Sequence, residues 1–345
     1  MRRLTLILSD LYLPEEARSM QEEVDAAVQP VHLPHLDWLL RFATITHAGD
    51  WRRALAADLG RPDLAATSAA ALAARQRLPL NAADSAWLAT PVRLEARLDH
   101  VRMLDRGLPR LDDAERAAWR EEFTRAFAPY ALHDAGPRGF LLTGLATAAI
   151  ETVDPARLLD ADIGRALPSG VPARELRRLA AEIEMWMHGS PINLARERAG
   201  LPRLSAMWLW GGGAPAPAAP APPAPSPSTA RFHGDDPAFA GMAQALTGAP
   251  PLDRAASFDA ARAAPDRVLV ELTPLHGAPG ETLPSVDVQW FAPARAALND
   301  GSLAALDILA NDRWFRIAAR PGWRIWRARK PWLTQLGQRP ARAKA

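Results

Sequence analysis

Residues Glu182–Gly213 read EIEMWMHGSPINLARERAGLPRLSAMWLWGGG, and this one stretch contains both kinds of regular structure. The apolar residues before Gly189 recur at helical spacing and predict the end of an amphipathic helix. Pro191 predicts a turn, because proline is excluded from the middle of a helix. The run MWLW then predicts a short buried strand that leads into three glycines. A helix followed closely by a buried strand indicates a mixed fold.

The sequence outside this stretch also interleaves helices and strands. Apolar runs predict strands at Leu4–Leu8 and Arg267–Leu272, and a pair of strands around a turn at Asn311 and Asp312. Alternation over Pro91–Leu104 predicts another strand. Helical spacing predicts helices over residues 36–43, 55–59, 112–128 and 172–187. The expected fold class is mixed α/β, with α+β left open and a helix-rich N-terminal part.

The segment Ala214–Thr229, APAPAAPAPPAPSPST, divides the chain by composition. Alternating alanine and proline supply too few backbone donors for a helix or sheet, so this segment predicts an extended, flexible connector. We therefore expect an α/β region over residues 1–213 and a smaller α/β region over 230–345. The second region is expected to pack on the first and to end in a basic tail.

Composition favours a cytoplasmic protein without cysteine chemistry. The chain has 345 residues, no cysteine and a net charge of +2. The absence of cysteine excludes disulfides, thiol nucleophiles and cysteine-bound metals. The N-terminal apolar run is shorter than that of a signal peptide, and the run Gly139–Ile150 is too short to span a bilayer.

Most common catalytic motifs are missing from the sequence. It has no GxxxxGK[ST] loop, no GxGxxG after a strand, no GxSxG and no HExxH. His233, Asp235 and Asp236 form a cluster of nitrogen and oxygen ligands that a divalent metal could use. Pro237 follows at once, however, and favours a helix start with Asp235 or Asp236 as its cap. No metal or other cofactor is therefore expected.

The candidate ligand-binding residues lie in the opening stretch. Asn193 and Arg196 are one helical turn apart, so their side chains can point the same way. Asparagine offers a donor and an acceptor, and arginine offers a fork that matches phosphate or carboxylate. Gly211, Gly212 and Gly213 allow backbone amides to approach a ligand closely. The alternative is that Asn193 caps a short helix and Arg196 pairs with a carboxylate.

The C-terminal part is strongly basic and rich in tryptophan. From Arg313 onward there are ten basic residues and no acidic ones. Arginine alternating with tryptophan can stack on bases and neutralise phosphates, so nucleic acid is one candidate partner. Period-two alternation around Arg313–Ile317 favours the alternative, a strand with its tryptophans packed inward and its arginines outside.

The motif between Glu182 and Gly213 resembles a pattern, NEIQMLLHxHPVNxxRxxRGxPPxNSLWLWGGG, of bacterial phosphoglycerate-mutase-like proteins. These include the type E regulators of the pathogenicity-factor cluster in plant-pathogenic bacteria, and they are distantly similar to archaeal-type cofactor-independent phosphoglycerate mutases of the alkaline phosphatase superfamily. The segments WLATPVRLEARLDHVRML, DDPAFAGMAQALTG and WRIWRARKP resemble further parts of the family. This chain departs from the pattern at Ser190, where the pattern has histidine, and at Ser205, where it has asparagine.

The resemblance implies a reduced alkaline-phosphatase-like core with His188, Asn193, Arg196 and the glycines beside a substrate or phosphate pocket. It also implies that a mutase would need two divalent metals and an activated nucleophile. Only Asp10, after the first strand, is analogous to a metal ligand of that family. We therefore expect a non-catalytic, regulatory protein that binds a phosphorylated small molecule. The alternatives are a metal-dependent phosphotransferase or phosphatase, and a nucleic-acid-binding regulator.

Overall fold

The computed structural model describes residues 3–13, 31–78, 86–104, 107–145, 150–159, 161–212, 230–255, 257–262, 266–275, 283–320, 327–328 and 330–337. The predicted mixed α/β class is confirmed. The chain divides into two compact units. Unit 1 comprises Met1–Leu55, Pro227–Gly234 and Pro251–Ala345, and unit 2 comprises Ala56–Ser226 and Asp235–Pro250.

The described residues form twelve strands and twelve α-helices. The strands are β1 (Arg3–Leu8), β2 (Thr44–His47), β3 (Trp87–Val92), β4 (Leu94–Ala96), β5 (Val101–Met103), β6 (Ala131–Asp134), β7 (Phe140–Thr143), β8 (Ala206–Trp210), β9 (Arg231–His233), β10 (Arg267–Leu272), β11 (Ala305–Ala310) and β12 (Arg313–Ala318). The helices are α1 (Pro34–Phe42), α2 (Trp51–Asp58), α3 (Pro62–Ala65), α4 (Ala69–Arg77), α5 (Asp113–Phe127), α6 (Arg174–Gly189), α7 (Pro191–Arg198), α8 (Pro237–Thr247), α9 (Phe258–Arg262), α10 (Leu283–Val286), α11 (Ala292–Asp300) and α12 (Trp332–Gly337). A π-helical segment, Asp287–Phe291, joins α10 to α11.

Unit 1 is built on a six-stranded sheet in the order β2-β12-β11-β1-β10-β9. Strands β11, β1, β10 and β9 run parallel, and β12 and β2 are antiparallel to their neighbours. β1 and β10 are almost continuously buried, which fits their unbroken apolar sequences because parallel strands are covered on both faces. Asn311 and Asp312 have φ angles of 47° and 59°. They form the predicted two-residue turn between β11 and β12.

Unit 2 contains a four-stranded antiparallel sheet in the order β6-β7-β3-β8. Helices α5 and α6 pack on one face, where Trp119, Phe123 and Ile183 are fully buried. The helix α5 begins with a capping box, in which Asp112 and Glu115 each accept a backbone N–H of the other. Helix α4 covers the other face and contacts α8.

The close approach of α4 and α8 requires glycine at position 241. A Cβ at that position would overlap the carbonyl oxygen of Leu72. The two helix backbones therefore approach each other more closely than any larger residue allows.

Whether residues 214–229 separate two domains or form a loop within one stays a prediction, because they lie outside the described residues. β1 is a central strand of the sheet and pairs with β10 on one side and with β11 on the other. Residues 235–250 belong to unit 2 because α8 packs on α4. The strand structure predicted over Pro91–Leu104 is present as the end of β3 and as β4 and β5. β4 and β5 are joined by a turn, in which the Arg97 N–H donates to the His100 carbonyl oxygen at 2.8 Å.

Candidate functional site

The fold places the predicted ligand-binding stretch on α6, α7 and β8. Ser190, which replaces the histidine of the resembled pattern, ends α6 and caps α7. Its hydroxyl oxygen accepts the Ile192 N–H at 3.1 Å, which satisfies one of the unpaired amides at the start of α7. The hydroxyl also donates to Glu122 at 3.2 Å. Ser190 therefore has a local structural role.

Asn193 is completely buried. Its amide nitrogen donates to the carbonyl oxygens of Met187 at 2.7 Å and Leu204 at 2.9 Å. Its amide oxygen accepts the Leu204 N–H at 2.9 Å. These three bonds tie the end of α6 to the segment before β8 and use most of the hydrogen-bonding capacity of the side chain.

Arg196 is also buried, with 6% of its surface exposed. Its Nε donates to the Pro202 carbonyl oxygen at 3.0 Å, and one terminal nitrogen donates to the Glu115 carboxylate. The ion pair and the backbone bond compensate for removing the guanidinium from water. The structure thus gives Arg196 the carboxylate partner that the sequence left as an alternative.

The remaining residues of the predicted site are His188 and the three glycines. His188 is exposed, and its backbone carbonyl accepts from Arg203 at 2.6 Å. The Gly211 N–H donates to the Thr152 hydroxyl at 2.9 Å. A Cβ on Gly212 would overlap the carbonyl oxygen of Ala86, so this close approach is to the protein itself. Gly213 lies outside the described residues, and ligand binding by this stretch stays a prediction.

The cap interpretation of the His233–Asp236 cluster is confirmed. The Asp236 carboxylate accepts the Phe239 N–H at 2.9 Å and begins α8. Asp235 forms ion pairs with Arg110 and with Arg138, the latter at 2.9 Å. In the part of the chain that the structure describes, no group of three His, Asp or Glu side chains is arranged to hold a metal ion.

A polar cluster lies at the carboxyl ends of the parallel strands in unit 1, the edge where open α/β sheets bind ligands. It contains Ser9 after β1 and Glu271 near the end of β10. They are 1% and 0% exposed. The Ser9 hydroxyl lies within hydrogen-bond distance of the Glu271 carboxylate and 3.1 Å from the Leu272 carbonyl oxygen. The Asp10 carboxylate accepts the Leu275 N–H at 3.2 Å.

Three more polar residues, Arg254, Thr273 and His233, lie near this edge. Arg254 donates to the hydroxyl of Thr273 at 2.9 Å. His233 is 7% exposed, and its Nδ1 lies 3.1 Å from the Asp253 carbonyl oxygen, so Nδ1 carries the proton. Its Nε2 is buried and has no hydrogen-bond partner among the described residues. The sequence pointed to Asp10 and His233 but missed Glu271, whose signal is a charged residue inside the apolar run RVLVEL.

Unit 1 also contains an open cleft with a volume of about 440 Å³. Helices α1 and α11 and the segment before α12 form its walls. It is lined by His32, Pro34, Asp37, Trp38, Arg41, Arg295, Lys330 and Pro331. Sequence reasoning missed this site because its residues come from three distant parts of the chain.

Described residues of the basic C-terminal part contribute to the core of unit 1. Trp314 on β12 and Trp332 on α12 are 3% and 4% exposed, so neither can stack on a nucleic-acid base. The strand interpretation predicts arginines on the outer face of β12; Arg316 is exposed there, but Arg313 is buried, and its guanidinium donates to the backbone carbonyl oxygens of Asn311 and Gly337. Trp323 and Trp326 lie outside the described residues. Among the helices that the structure describes, none is long and apolar enough to cross a membrane.

No protein-family model and no curated protein matches the chain. Among solved structures, the chain is similar to the PH0037 protein from Pyrococcus horikoshii, with 13% identity and a TM-score of 0.44 over 92% of this chain and 87% of that chain. It is also similar to a cofactor-independent phosphoglycerate mutase from Thermoplasma acidophilum, with 16% identity and a TM-score of 0.36 over 92% of this chain and 89% of that chain. Both likenesses are distant, so the chemistry has to be read from this chain's own residues.

Proposed function

We propose that this protein is a non-catalytic, phosphoglycerate-mutase-like protein that binds a phosphorylated small molecule and acts in regulation in the cytoplasm. The observation that carries the proposal is the closed polar cluster at the carboxyl ends of the parallel strands. Ser9 and Glu271 are almost completely buried there and bond to each other. A nucleophile must reach its substrate in line with the leaving group, and a hydroxyl that is 1% exposed has no such access.

The internal bonding of the same cluster supports a structural role. A buried carboxylate is costly unless hydrogen bonds compensate for its lost hydration. Ser9 supplies such a bond to Glu271, and Leu275 supplies one to Asp10. The cluster therefore joins the ends of β1 and β10 and the loop after β10. Replacing either member of the Ser9–Glu271 pair should lower stability, whereas replacing a catalytic pair lowers turnover.

A metal-dependent phosphotransferase is the second candidate function. It is favoured by the hydroxyl–carboxylate pair, because a carboxylate beside a hydroxyl can act as a general base. The lone pair on Nε2 of His233 also favours it, because a histidine that donates from Nδ1 to a carbonyl is a common metal ligand. Any divalent metal would be bound only under this alternative.

Turnover assays separate the two candidates. Purified protein would be incubated with p-nitrophenyl phosphate and with 3-phosphoglycerate, each with Mg²⁺, Mn²⁺ or Zn²⁺. We expect no metal-dependent turnover. Ser9→Ala should instead lower the thermal unfolding temperature, while Ser302→Ala, an exposed serine in the same unit, should not. Metal-dependent turnover that is abolished by Ser9→Ala and retained by Ser302→Ala would establish the enzyme and refute the proposal.

A further inference from the structure

The cleft between α1, α11 and the segment before α12 has the size of a small-molecule site. Its volume of about 440 Å³ lies within the range of roughly 300–1,000 Å³ typical of ligand pockets. Three basic side chains, Arg41, Arg295 and Lys330, line it together with one carboxylate, Asp37. The net charge of the lining is therefore +2 with His32 neutral. A concave surface of one sign concentrates the field and attracts ions of opposite sign.

Two of the arginines contact aromatic rings. The Arg295 guanidinium lies 4.7 Å from the ring centroid of Trp38, so the indole supports it. Arg41 donates from Nε to the Arg327 carbonyl oxygen at 2.6 Å and lies 5.1 Å from the ring centroid of Phe42. The contact between Arg295 and Trp38 leaves the positive charge of Arg295 uncompensated, whereas a carboxylate would cancel it.

Lys330 is positioned through its backbone. Its carbonyl oxygen accepts from the Gln335 side chain at 2.8 Å, which anchors the segment before α12. Within the part of the chain that the structure describes, neither Lys330 nor Arg295 has a carboxylate partner. Both side chains can therefore donate to an anion without first breaking an ion pair.

The one acidic side chain in the cleft is already engaged. The Asp37 carboxylate accepts the Trp332 N–H, which ties α1 to α12. Burial is the largest influence on this carboxyl group and raises its pKa above the ordinary value. The hydrogen bond to the backbone opposes that shift. Asp37 thus contributes to the wall of the cleft and reduces its positive potential without abolishing it.

We propose that this cleft is an anion-binding site for a soluble phosphomonoester, in which Arg295 and Lys330 contact the phosphate and Trp38 packs against the rest of the ligand. A phosphate dianion matches the net charge of the lining, and guanidinium with ammonium provides several donors to its oxygens. Trp38 is half-buried, so part of its ring remains available for apolar contact. This inference rests on the proposed binding of a phosphorylated small molecule and gives that function a location.

Calorimetric titration of the full-length protein with phenyl phosphate, and separately with inorganic phosphate, tests the proposal. Both should bind saturably, and phenyl phosphate should bind more tightly because of Trp38. Arg295→Gln and Lys330→Gln should each weaken binding about tenfold or more, since each removes a charge-assisted hydrogen bond. Arg178→Gln, which removes an exposed arginine in unit 2, is the matched control and should leave binding unchanged.

Two sets of outcomes would overturn the proposal. The first is unchanged binding in both cleft variants, or no saturable binding of either phosphate compound by folded wild-type protein. The second is retention on phosphatidic-acid vesicles or on duplex DNA without binding of phenyl phosphate, which would assign the cations to a membrane or to nucleic acid. Metal-dependent turnover would refute the non-catalytic function while leaving the cleft binding intact, so the two failures are distinguishable.

Discussion

Replacing Asn193 with alanine separates the structural role of this residue from its predicted role in ligand binding. The Met187 carbonyl oxygen would keep the Ser190 N–H at 3.2 Å, so its loss is small. The N–H and carbonyl oxygen of Leu204 would lose the bonds they make to Asn193, and each unsatisfied buried group costs about 1–3 kcal/mol. We therefore expect the free energy of unfolding of unit 2 to fall by about 2–6 kcal/mol.

Urea unfolding measured by circular dichroism would give the free-energy change, and hydrogen exchange would locate it. The Leu204 amide should exchange faster in Asn193→Ala than in the wild type, because its acceptor is gone. Arg198→Ala, an exposed change on the same helix, should stay within about 0.5 kcal/mol of the wild type. Stability of Asn193→Ala within that same margin, with unchanged exchange at Leu204, would refute this reasoning and favour a ligand-facing asparagine.

Three further predictions concern the packing and titration of each unit. Gly241→Ala should destabilise unit 2 by about 1–3 kcal/mol in thermal unfolding, because its methyl group would overlap the Leu72 carbonyl oxygen. Asp287→Ala should cost unit 1 about 1–2 kcal/mol in the same measurement, because the Asp287 carboxylate accepts the Leu36 N–H at 2.8 Å in the first turn of α1. Burial lowers the pKa of His133, so the stability it contributes is present above the unfolded pKa of about 6.5 and is lost as pH falls through the folded value. Replacing His133 with glutamine should flatten that pH dependence in urea titrations, and an unchanged slope would contradict the assignment.

Much of the secondary structure follows from local sequence signals. The unbroken apolar run of β1 predicts a buried strand, and Asn311 with Asp312 predicts the turn after β11 because asparagine and aspartate tolerate positive φ. Asp112 and Glu115 at capping-box spacing mark the start of α5. Each of these signals lies within a few residues of the structure it determines.

Strand pairing and the division into units could not be read in the same way. β1 pairs with β10 and β11, which lie more than 250 residues further along the chain. The β1 sequence does not predict which strands pair with it, because any long apolar strand could occupy either neighbouring position. The alanine–proline segment stands out by its composition. Which residues form a compact unit, however, depends on which strands pair.

The predicted ligand-binding site also shows how far local sequence signals can predict the structure. Spacing correctly placed Asn193 and Arg196 on one helix, and both side chains point into the protein. The sequence does not reveal whether a buried polar side chain meets a ligand or the backbone, since both demand the same donors and acceptors. In the structure, Asn193 bonds to Leu204, and Arg196 bonds to Pro202 and Glu115.

The distribution of satisfied and unsatisfied charge favours binding at the cleft over chemistry at the sheet edge. Asn193 and Glu271 are buried polar side chains, and each is hydrogen-bonded by a neighbour within the same unit. Those bonds offset the cost of burial, but they also leave the side chain little to offer a substrate. Arg295 and Lys330 differ, because they line an open cleft and have no carboxylate partner among the described residues. An anion gains the most binding free energy from positive charges that are fixed in position and not yet neutralised. We therefore expect ligand binding at the cleft.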